Sequence, residues 1–519
     1  MADQLLDGQL PVRAAYTRCA SGWLLGCLLL IGCLVPLQLA QAQEPDGLKA
    51  AVVLEAVVVD AVAKAERSVV AIARLRKDVK QPKVNQPVGK NKADGAETDS
   101  DSDPLHPDFV PHDFGSGVVV DATGLILTNY HVLGDLEKSS YLVWIDRKPY
   151  PAKVKAADPW LDLAVLKIEA TDLIPIVLGN AAKIKKGQIV LTLGNPYAIA
   201  RDGQPSAAWG IVSNLSRQAP APTAAARAVE GRETLHHYGT LIQTDARLEL
   251  GSSGGALVNL KGEMIGLTTS LAALMGFERA GGYAVPVDDD FKRAVDALKK
   301  GKMPEYGFLG VAPAVLSAEE RRAGRFGARI GDVVPSTPAA KAGLESGDVV
   351  THVDGEAISD DVELIRRLSG KAAGATVELS LLRPTKEGEL PLPLKAPVVL
   401  SKKQIEGSRV GFAEFHDPLW RGLRVDYATA SPGFRENSRD LDEAGCVGVV
   451  EVQRDSLAWK SGLRPGDFIS QVGPTHISTP QQFTSAISKI AKEEVALTLT
   501  GSPDGPKSRT IPAEAAATP

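Results

Sequence analysis

Three side chains in the sequence are of the types that nucleophilic catalysis requires: His131, Asp162 and Ser253. A serine hydroxyl is a poor nucleophile until a neighbouring imidazole accepts its proton, and a carboxylate can hold that imidazole in the right tautomer. Each residue also has an ordinary structural interpretation: a histidine ending a strand, an aspartate at a strand edge, and a serine in a flexible turn. Their order does not decide the matter, because triads occur in several orders on unrelated folds.

The local sequence makes the catalytic interpretation more specific. His131 follows LILTN and a tyrosine at the end of an expected strand. Asp162 lies among apolar β-formers in LDLAVLKI, where a buried carboxylate needs a hydrogen-bond donor. Ser253 lies in residues 251–255 (GSSGG), where glycines permit a tight turn. Backbone N–H groups that converge in such a turn could stabilise a developing oxyanion.

Short β-type segments surround these residues and are expected to position them. Residues 114–300 contain many short apolar runs separated by Gly, Asn and Asp, which predicts β-barrels or a β-sandwich. The predicted strands are GVVVD, LILTN, SYLVWI, LAVLKI, QIVLTLG, WGIVSNL, ALVNL, EMIGLTT and GYAVPV. A further strand is expected over residues 68–74, and helices are expected over residues 54–65 and 291–299.

Composition limits the possible classes of protein. The chain has 519 residues, of which 44% are hydrophobic and 23% are charged, values typical of a globular protein of about three domains. With 58 Lys and Arg against 63 Asp and Glu, the net charge is −5. That balance argues against nucleic acid as a partner, because phosphate binding needs a basic excess or patch. The 4 cysteines are too few for a disulfide scaffold.

The N-terminal segment has the composition of an export signal. Residues 19–43 carry no charge, a basic flank precedes them, and AQA at residues 40–42 supplies a small-x-small cleavage site. We therefore expect a signal peptide over residues 1–42. Two alternatives remain open: an uncleaved signal anchor with membrane attachment through residues 19–43, and a lipid anchor on Cys33.

Residues 77–112 interrupt the β pattern with a basic half, an acidic half and several prolines, so we expect a long surface loop there. His106 and His112 lie in this segment near several aspartates, but their spacing matches no known metal cage. We therefore expect neither a metal nor a cofactor.

An internal repeat occupies the last part of the chain. The segment AGLESGD at residues 342–348 recurs as SGLRPGD at residues 461–467, and each copy leads into an apolar strand, VVTHV or FISQV. A linker between the copies is expected at residues 391–402, where prolines cluster. The two repeats are thus expected over residues 304–396 and 417–515.

Five ordered motifs resemble the HtrA (DegP-like) family of exported serine proteases. They are GSGVVVDATGLILTNYHV, DLAVLKI, GNPYAIA, WGIVSNLSR and IQTDARLELGSSGGALVNLKGEMIGL. The resemblance covers roughly residues 50–300 and implies a mostly β fold, with a chymotrypsin-like pair of β-barrels over residues 48–300 and the active site between them. By the same resemblance, the two repeats are PDZ domains.

The resemblance also assigns a role to each candidate residue. It makes His131 the general base, Asp162 the residue that orients the base, and Ser253 the nucleophile. The backbone N–H groups of Gly251, Ser252 and Ser253 are expected to form the oxyanion hole. A metal plays no part in this chemistry.

Two departures from the family pattern qualify the resemblance, and one further position bears on specificity. Ser252 stands where the family usually has asparagine, which a hole built of backbone donors tolerates. Residues 248–250 (LEL) replace Ile-Asn-Pro, so the loop lacks a proline that would fix its backbone. Leu271 falls where the family places its main specificity-pocket side chain, and a leucine there would favour small aliphatic residues before the cut. Leu271 could alternatively be a simple core residue.

A PDZ domain binds a chain terminus as an added strand, with backbone N–H groups holding the carboxylate. In the first repeat the resemblance places this loop at Phe308, Leu309, Gly310 and Val311. In the second repeat the nearest match is residues 421–425 (RGLRV), with Arg424 in place of the second glycine, which leaves peptide binding there open. Either repeat could alternatively act only as a spacer or assembly surface.

These observations predict an exported serine endopeptidase of the periplasm or cell envelope that cleaves unfolded or misfolded proteins. The alternative is an envelope chaperone or PDZ scaffold that keeps a protease fold only for its shape. The complete triad and the glycines around Ser253 favour the enzyme. By resemblance, the expected partners are unfolded proteins or peptides, and further copies of the chain in a trimer or a multiple of trimers.

Overall fold

The structure is a computed structural model, and it describes residues 46–77, 111, 113–195, 204–218, 234–269, 282–386, 390–405, 411–490, 493–502, 505 and 507–513. The expected signal peptide, nearly all of the expected surface loop and Leu271 lie outside these residues. Within the described ranges, no helix is both long and apolar enough to cross a bilayer. The chain divides into two compact units, Met1–Val52 and Val53–Pro519. All the features below belong to the second unit, except the beginning of the first helix.

Helix α1 (Asp46–Ala65) precedes a closed six-stranded barrel. The strands of this first barrel are β1 (Val69–Arg76), β2 (Asp113–Asp121), β3 (Leu125–Asn129), β4 (Ser139–Ile145), β5 (Lys148–Asp158) and β6 (Leu163–Ile168). They pair in the order β5-β4-β1-β2-β3-β6, and β5 also pairs with β6, which closes the barrel. The four-residue helix α2 (Tyr130–Leu133) follows β3 and carries His131.

A second closed barrel follows in the chain. Its strands are β7 (Ile189–Gly194), β8 (Ser206–Arg217), β9 (Leu241–Thr244), β10 (Ala256–Val258), β11 (Met264–Thr269) and β12 (Gly282–Pro286). Helix α3 (Asp289–Lys299) ends this part of the chain. One apolar core contains buried residues from both barrels, among them Leu127 and Leu163 of the first barrel and Leu191 of the second. The barrels therefore pack against each other.

The predicted double barrel is confirmed, but the sequence pattern missed two of its strands. Strand β5 reads KPYPAKVKAAD, which has two prolines and no apolar run, and β9 has only 4 residues. Helix α1 begins earlier than the expected residue 54. His131 lies in the short helix after β3 instead of at the end of the strand.

The two repeats form two sheets with the same strand order. The first contains the strands β13 (Gly307–Phe308), β14 (Val311–Ala314), β15 (Ala328–Val333), β16 (Val349–Val353), β17 (Glu356–Ala357), β18 (Thr376–Arg383), β19 (Leu392–Val399) and β20 (Ser401–Lys402). Its helices are α4 (Ala318–Arg322), α5 (Pro338–Lys341) and α6 (Asp361–Ser369). The main sheet has the order β14-β15-β16-β18-β19, with β17 paired to β16, while β13 pairs with β20.

The segment between the repeats is not the linker that its prolines suggested. Residues 391–402 contain β19 and β20, and β19 pairs along its whole length with β18. Proline is permitted in β19 because that strand lies at the edge of its sheet. The next strand, β21 (Phe412–Ala413), adds to the first barrel, where Phe412 lies opposite Ala157 of β5. Beside it, the ammonium of Lys155 lies 4.4 Å from the centre of the Phe415 ring.

The second repeat copies the first. Its strands are β22 (Leu423–Tyr427), β23 (Val447–Val452), β24 (Phe468–Val472), β25 (Thr475–His476), β26 (Val495–Thr500) and β27 (Lys507–Ile511). Its helices are α7 (Phe434–Asn437), α8 (Leu457–Lys460) and α9 (Pro480–Ser488). The main sheet has the order β22-β23-β24-β26-β27, with β25 paired to β24. In each repeat the first strand of the main sheet, β14 or β22, is at an edge and can accept an added strand.

Candidate active site

Two hydrogen bonds hold His131 against Asp162. The backbone N–H of His131 donates to Oδ1 of Asp162 over 2.9 Å, and the ring Nδ1 lies 2.7 Å from Oδ2. Because an ionised carboxylate can only accept, Nδ1 carries a proton and Nε2 of the neutral ring is left as an acceptor. The sequence-predicted pair is therefore brought together in the geometry that a general base requires.

The Asp162 carboxylate is buried, with 1% of the residue exposed. Burial alone would raise the pKa of this carboxyl, but the charge and hydrogen bonds of His131 lower it below the ordinary value. Asp162 also has a backbone φ of 54°, in the left-handed region that non-glycine residues rarely adopt. Its carbonyl accepts hydrogen bonds from the N–H of Tyr130 over 3.0 Å and from the amide of Asn129 over 3.1 Å.

Ser253 lies in a glycine turn that is fixed to the first barrel. The carbonyl of Ser253 accepts a hydrogen bond from the N–H of Ser116 over 2.7 Å, and the Ser116 hydroxyl donates to the carbonyl of Gly251 over 2.7 Å. Gly251 has a φ of 94°, and a Cβ atom there would lie 2.7 Å from the ring of Phe114. Only glycine can occupy this position without displacing the turn.

Two hydrogen bonds between Glu249 and Ser252 close the turn before Ser253. The N–H of Ser252 donates to the carbonyl of Glu249 over 3.0 Å, and the N–H of Glu249 donates to the Ser252 hydroxyl over 3.2 Å. These reciprocal bonds fix a loop that lacks the family's proline. They also engage the N–H of Ser252, one of the three donors that the sequence predicts for the oxyanion hole.

Gly115 lies between the helix that carries His131 and the turn that carries Ser253. A Cβ atom added there would lie 2.7 Å from the Val132 side chain and 3.3 Å from the carbonyl of Ser253. Val132 follows His131 directly, so the helix that carries the histidine and the turn that carries Ser253 both pack against Gly115. The three candidate triad residues therefore lie in one region where the barrels meet.

Three buried polar residues beside this region were missed by sequence reasoning: Asp158, His236 and Tyr306. Asp158 and Asp162 begin and end the same short loop between β5 and β6. An aspartate before proline within an apolar context was the available signal for Asp158. No local pattern singles out the other two residues, because their contacts are made with parts of the chain far away in sequence.

In the first repeat, the carboxylate-loop candidate packs on the N-terminus of α5. The carbonyl of Leu309 accepts from the N–H of Ala339 over 2.9 Å, and the carbonyl of Gly310 accepts from the N–H of Val334 over 2.9 Å. Gly310 has a φ of 89°, and a Cβ atom there would lie 2.2 Å from the Cβ of Thr337. The glycine is thus required for close packing on α5. Phe308 and Val311 flank the turn in β13 and β14.

The second repeat has the same turn, two residues before the position given by the sequence match. Gly422 has a φ of 83°, and its added Cβ atom would lie 2.2 Å from the Cβ of Ser456. The carbonyl of Gly422 accepts from the N–H of Gln453 over 2.8 Å, as the carbonyl of Gly310 does from its counterpart. Gly422 is therefore the equivalent of Gly310. The sequence interpretation that put Arg424 at the second glycine is wrong.

Comparisons with known families agree with this geometry. The trypsin-like peptidase domain family matches residues 115–267, which include all three candidate triad residues. The PDZ domain family matches residues 307–394, which include the loop of the first repeat.

The chain is similar to curated relatives and to a solved structure. A probable periplasmic serine endoprotease DegP-like of Pseudomonas putida (strain F1) is 32% identical over 393 residues, which cover 73% of this chain and 74% of the relative. The periplasmic pH-dependent serine endoprotease DegQ of Escherichia coli K12 is 31% identical over 372 residues, covering 70% of this chain and 73% of that protein. The solved structure of an HtrA-type protease AlgW with decapeptide is 25% identical, with a TM-score of 0.47, and covers 67% of this chain and 99% of that one.

Proposed function

The chain belongs to the HtrA (DegP-like) family of exported serine proteases, and on this premise we propose that it degrades unfolded or misfolded proteins in the periplasm. It is a serine endopeptidase with a trypsin-like domain. The observation that supports the proposal is the Asp162–His131 pair: with Nδ1 held by the Asp162 carboxylate over 2.7 Å, Nε2 of the neutral ring is left to accept a proton. A scaffold would have no use for this arrangement.

The proposed reaction is an acyl transfer. The hydroxyl oxygen of Ser253 attacks the scissile carbonyl carbon while Nε2 of His131 takes the hydroxyl proton. The proton then passes to the leaving amine, and a water molecule hydrolyses the acyl-enzyme by the same route in reverse order. Asp162 stabilises the imidazolium that forms in each step and does not itself take the proton.

For the oxyanion hole we propose the backbone N–H groups of Gly251 and Ser253, without that of Ser252. The bond from Ser252 to Glu249 supports this narrower assignment, because an N–H group held by a carbonyl is not free to meet a developing charge. The positive φ of Gly251 supports its place in the hole, since the backbone there must turn where no side chain fits. Leu271 remains the proposed specificity-pocket residue.

We propose that the first repeat binds apolar C-termini of substrates or regulatory peptides. The peptide would add as a strand to β14, with its carboxylate on the N–H groups of the loop formed by Phe308, Leu309, Gly310 and Val311. The free edge of β14 beside helix α6 supports this assignment. For the second repeat we propose an assembly or spacer role.

A trimer, or a multiple of trimers, is the proposed assembly. Helix α1 exposes apolar side chains, with 65% of Val53, 38% of Val57 and 61% of Val59 accessible. Val53 and Val57 lie one turn apart on the same helix face, and exposed apolar surface on a helix can serve as a contact with another chain. Light scattering of the purified protein would measure the mass directly, and a monomer at micromolar concentration would contradict the assembly proposal.

Casein digestion by the purified protein tests the proposed function. We expect Ser253→Ala to abolish digestion and His131→Ala to lower it by about four orders of magnitude or more, because the triad acts as one unit. Ser253→Ala removes only one hydroxyl, so the variant should remain folded by circular dichroism. Digestion by Ser253→Ala at the wild-type rate would exclude Ser253 as the nucleophile and would leave the scaffold hypothesis standing.

A further inference from the structure

The loop that carries Asp162 needs support from outside the triad. Residues 158–162 connect β5 to β6, and the loop ends with Asp162 in a left-handed backbone conformation. A non-glycine residue in that region is strained and persists only where its surroundings determine its conformation fully. The loop should therefore be held at several points.

Asp158 holds the first part of this loop. Its buried carboxylate accepts hydrogen bonds from the N–H of Trp160 over 3.0 Å and from the N–H of Leu161 over 3.2 Å. It also accepts a hydrogen bond from the hydroxyl of Tyr306, a residue that is 1% exposed. Burial is the largest influence on Asp158 and raises its pKa to about 6, although the hydrogen bonds from Tyr306 and the loop act in the opposite direction.

His236 holds the second part of the loop. Its Nε2 lies 2.9 Å from the carbonyl oxygen of Leu161, the residue before Asp162, and its Nδ1 lies 2.7 Å from the hydroxyl of Thr240. A carbonyl can only accept, so Nε2 carries the proton and Nδ1 accepts from the threonine. Burial lowers the pKa of His236, which keeps the ring in this neutral, directional form.

The ring of Trp160 packs near aromatic residues of both supporting segments. Its ring centre lies 6.4 Å from that of Tyr306 and 6.2 Å from that of Tyr238, and its carbonyl accepts from the N–H of Leu235 over 2.9 Å. The loop is thus enclosed by two parts of the chain. One is the 3₁₀ helix Leu235–Tyr238, and the other is the residue that directly precedes β13 of the first repeat.

We propose that Tyr306 and His236 are positioning residues that clamp residues 158–162 and so hold Asp162 in register with His131. The proposal rests on the proposed function, because the clamp can affect the rate of peptide cleavage only if the triad is catalytic. Neither residue touches the reacting atoms. Each acts through a backbone segment whose small displacement would move the Asp162 carboxylate away from Nδ1 of His131.

The first test measures kcat and KM of the full chain on a short fluorogenic peptide. Tyr306→Phe removes one hydroxyl and keeps the ring. We expect kcat to fall about tenfold with KM unchanged, because small misplacements of catalytic groups lower the rate by this much or more. Tyr427→Phe is the matched control, because Tyr427 is also a buried tyrosine but belongs to strand β22 of the second repeat. This control should retain the wild-type kcat.

A second pair of variants separates positioning from packing. His236→Gln keeps an N–H donor that can reach the Leu161 carbonyl, whereas His236→Leu fills the space without one. We expect the glutamine variant to retain most of the wild-type kcat and the leucine variant to lose about tenfold. An equal loss of kcat in both variants would show that the N–H donor does not support catalysis and that only the shape of the imidazole ring matters.

Ser253→Ala serves as the reference for the whole set. If Ser253→Ala is inactive but Tyr306→Phe and His236→Leu have the wild-type kcat, the clamp proposal is wrong and the proposed function stands. If Ser253→Ala remains active, the proposed function itself fails. A rise in KM alone, or an equal fall in kcat for Tyr427→Phe, would also overturn the clamp, because both outcomes indicate a general structural effect.

Discussion

The two repeats follow the same chain path but differ at the loop that would hold a peptide terminus. In the first repeat, Leu309 occupies the position before the tight glycine and packs in the apolar core. In the second, Arg421 occupies that position, buried to 5% exposure. Its guanidinium donates to the carbonyl of Glu493 over 2.7 Å and to the carbonyl of Pro512 over 2.8 Å. One loop is thus anchored by apolar packing and the other by hydrogen bonds to the end of the chain.

The residues that flank the turn differ as well. Phe308 of the first repeat pairs with Ser401 of β20. Its counterpart Trp420 pairs with Leu423, and the two exchange backbone hydrogen bonds of 2.9 and 2.8 Å across the turn. The N–H of Leu423 is therefore engaged within the loop. The two repeats thus share a fold but differ in the partners of the backbone groups at this loop, and a shared fold does not by itself imply a shared binding function.

The largest expected difference between the repeats concerns the two glycines. Gly310→Val should weaken the binding of peptides with an apolar C-terminus by about thirtyfold or more, because a strained φ and a clash with Thr337 displace the loop. Gly422→Val creates the same clash in the second repeat and should leave peptide affinity unchanged. Fluorescence anisotropy in the Ser253→Ala background would measure both. Equal losses from the two variants would mean that both repeats bind peptide.

Replacing Arg421 should lower the stability of the second repeat against local opening. Arg421→Leu copies the first repeat but leaves buried carbonyls without their donor, so we expect the second repeat to lose about 2–3 kcal/mol against local opening. The control is Arg424→Ala, which removes only a partly exposed ion pair with Glu451 and should cost less than about 1 kcal/mol. Hydrogen exchange of β22 and β27 would give both values. Unchanged exchange in Arg421→Leu would contradict the anchoring role.

Amidating the C-terminus of the peptide should reduce its affinity for the first repeat less than Gly310→Val does. Amidating the C-terminus of a bound peptide removes the charge-assisted hydrogen bonds from the loop, which contribute about 1.5–3 kcal/mol each, so affinity for the first repeat should fall about tenfold or more. The paired acid and amide forms can be titrated against the Ser253→Ala protein. If the two forms bind equally well, the first repeat is a spacer.

The smallest expected effect is on digestion itself. Tethering raises the local concentration of substrate at the active site, so Gly310→Val should slow digestion of a long unfolded chain several-fold while short peptides are cleaved at the normal rate. Gly422→Val should change neither rate. A proportional slowing of long and short substrates by Gly310→Val would instead indicate a defect in the active site.

Much of this architecture could be predicted because its signals are local. The triad residues lie in short motifs, and most strands appear as apolar runs bounded by turn residues. Strand β19 was mistaken for a linker because its prolines are permitted only by its edge position, which depends on the neighbouring strand. The register of Gly422 was missed for a similar reason, since its identity depends on contact with Ser456.

The supports of the site could not be predicted from local sequence. Tyr306 meets Asp158 across 148 positions, and His236 meets Leu161 across 75. Neither pair leaves a periodic or motif-like trace, because a hydrogen bond between distant segments constrains only two positions. The sequence therefore indicates candidate catalytic groups but not the groups that hold them in place.

Strand β21 covers the end of β5 but is made much later in the chain. A chain is synthesised and exported from its N-terminus, so the triad residues emerge before Tyr306, and Tyr306 emerges before β21. Until then the edge of β5 is uncovered, and unpaired edges invite wrong partners. The candidate triad residues are thus made early, whereas the end of β5 next to Asp158 gains its pairing with β21 only after residues 412–413 have been made. We therefore expect the surroundings of the candidate site to be completed late in synthesis.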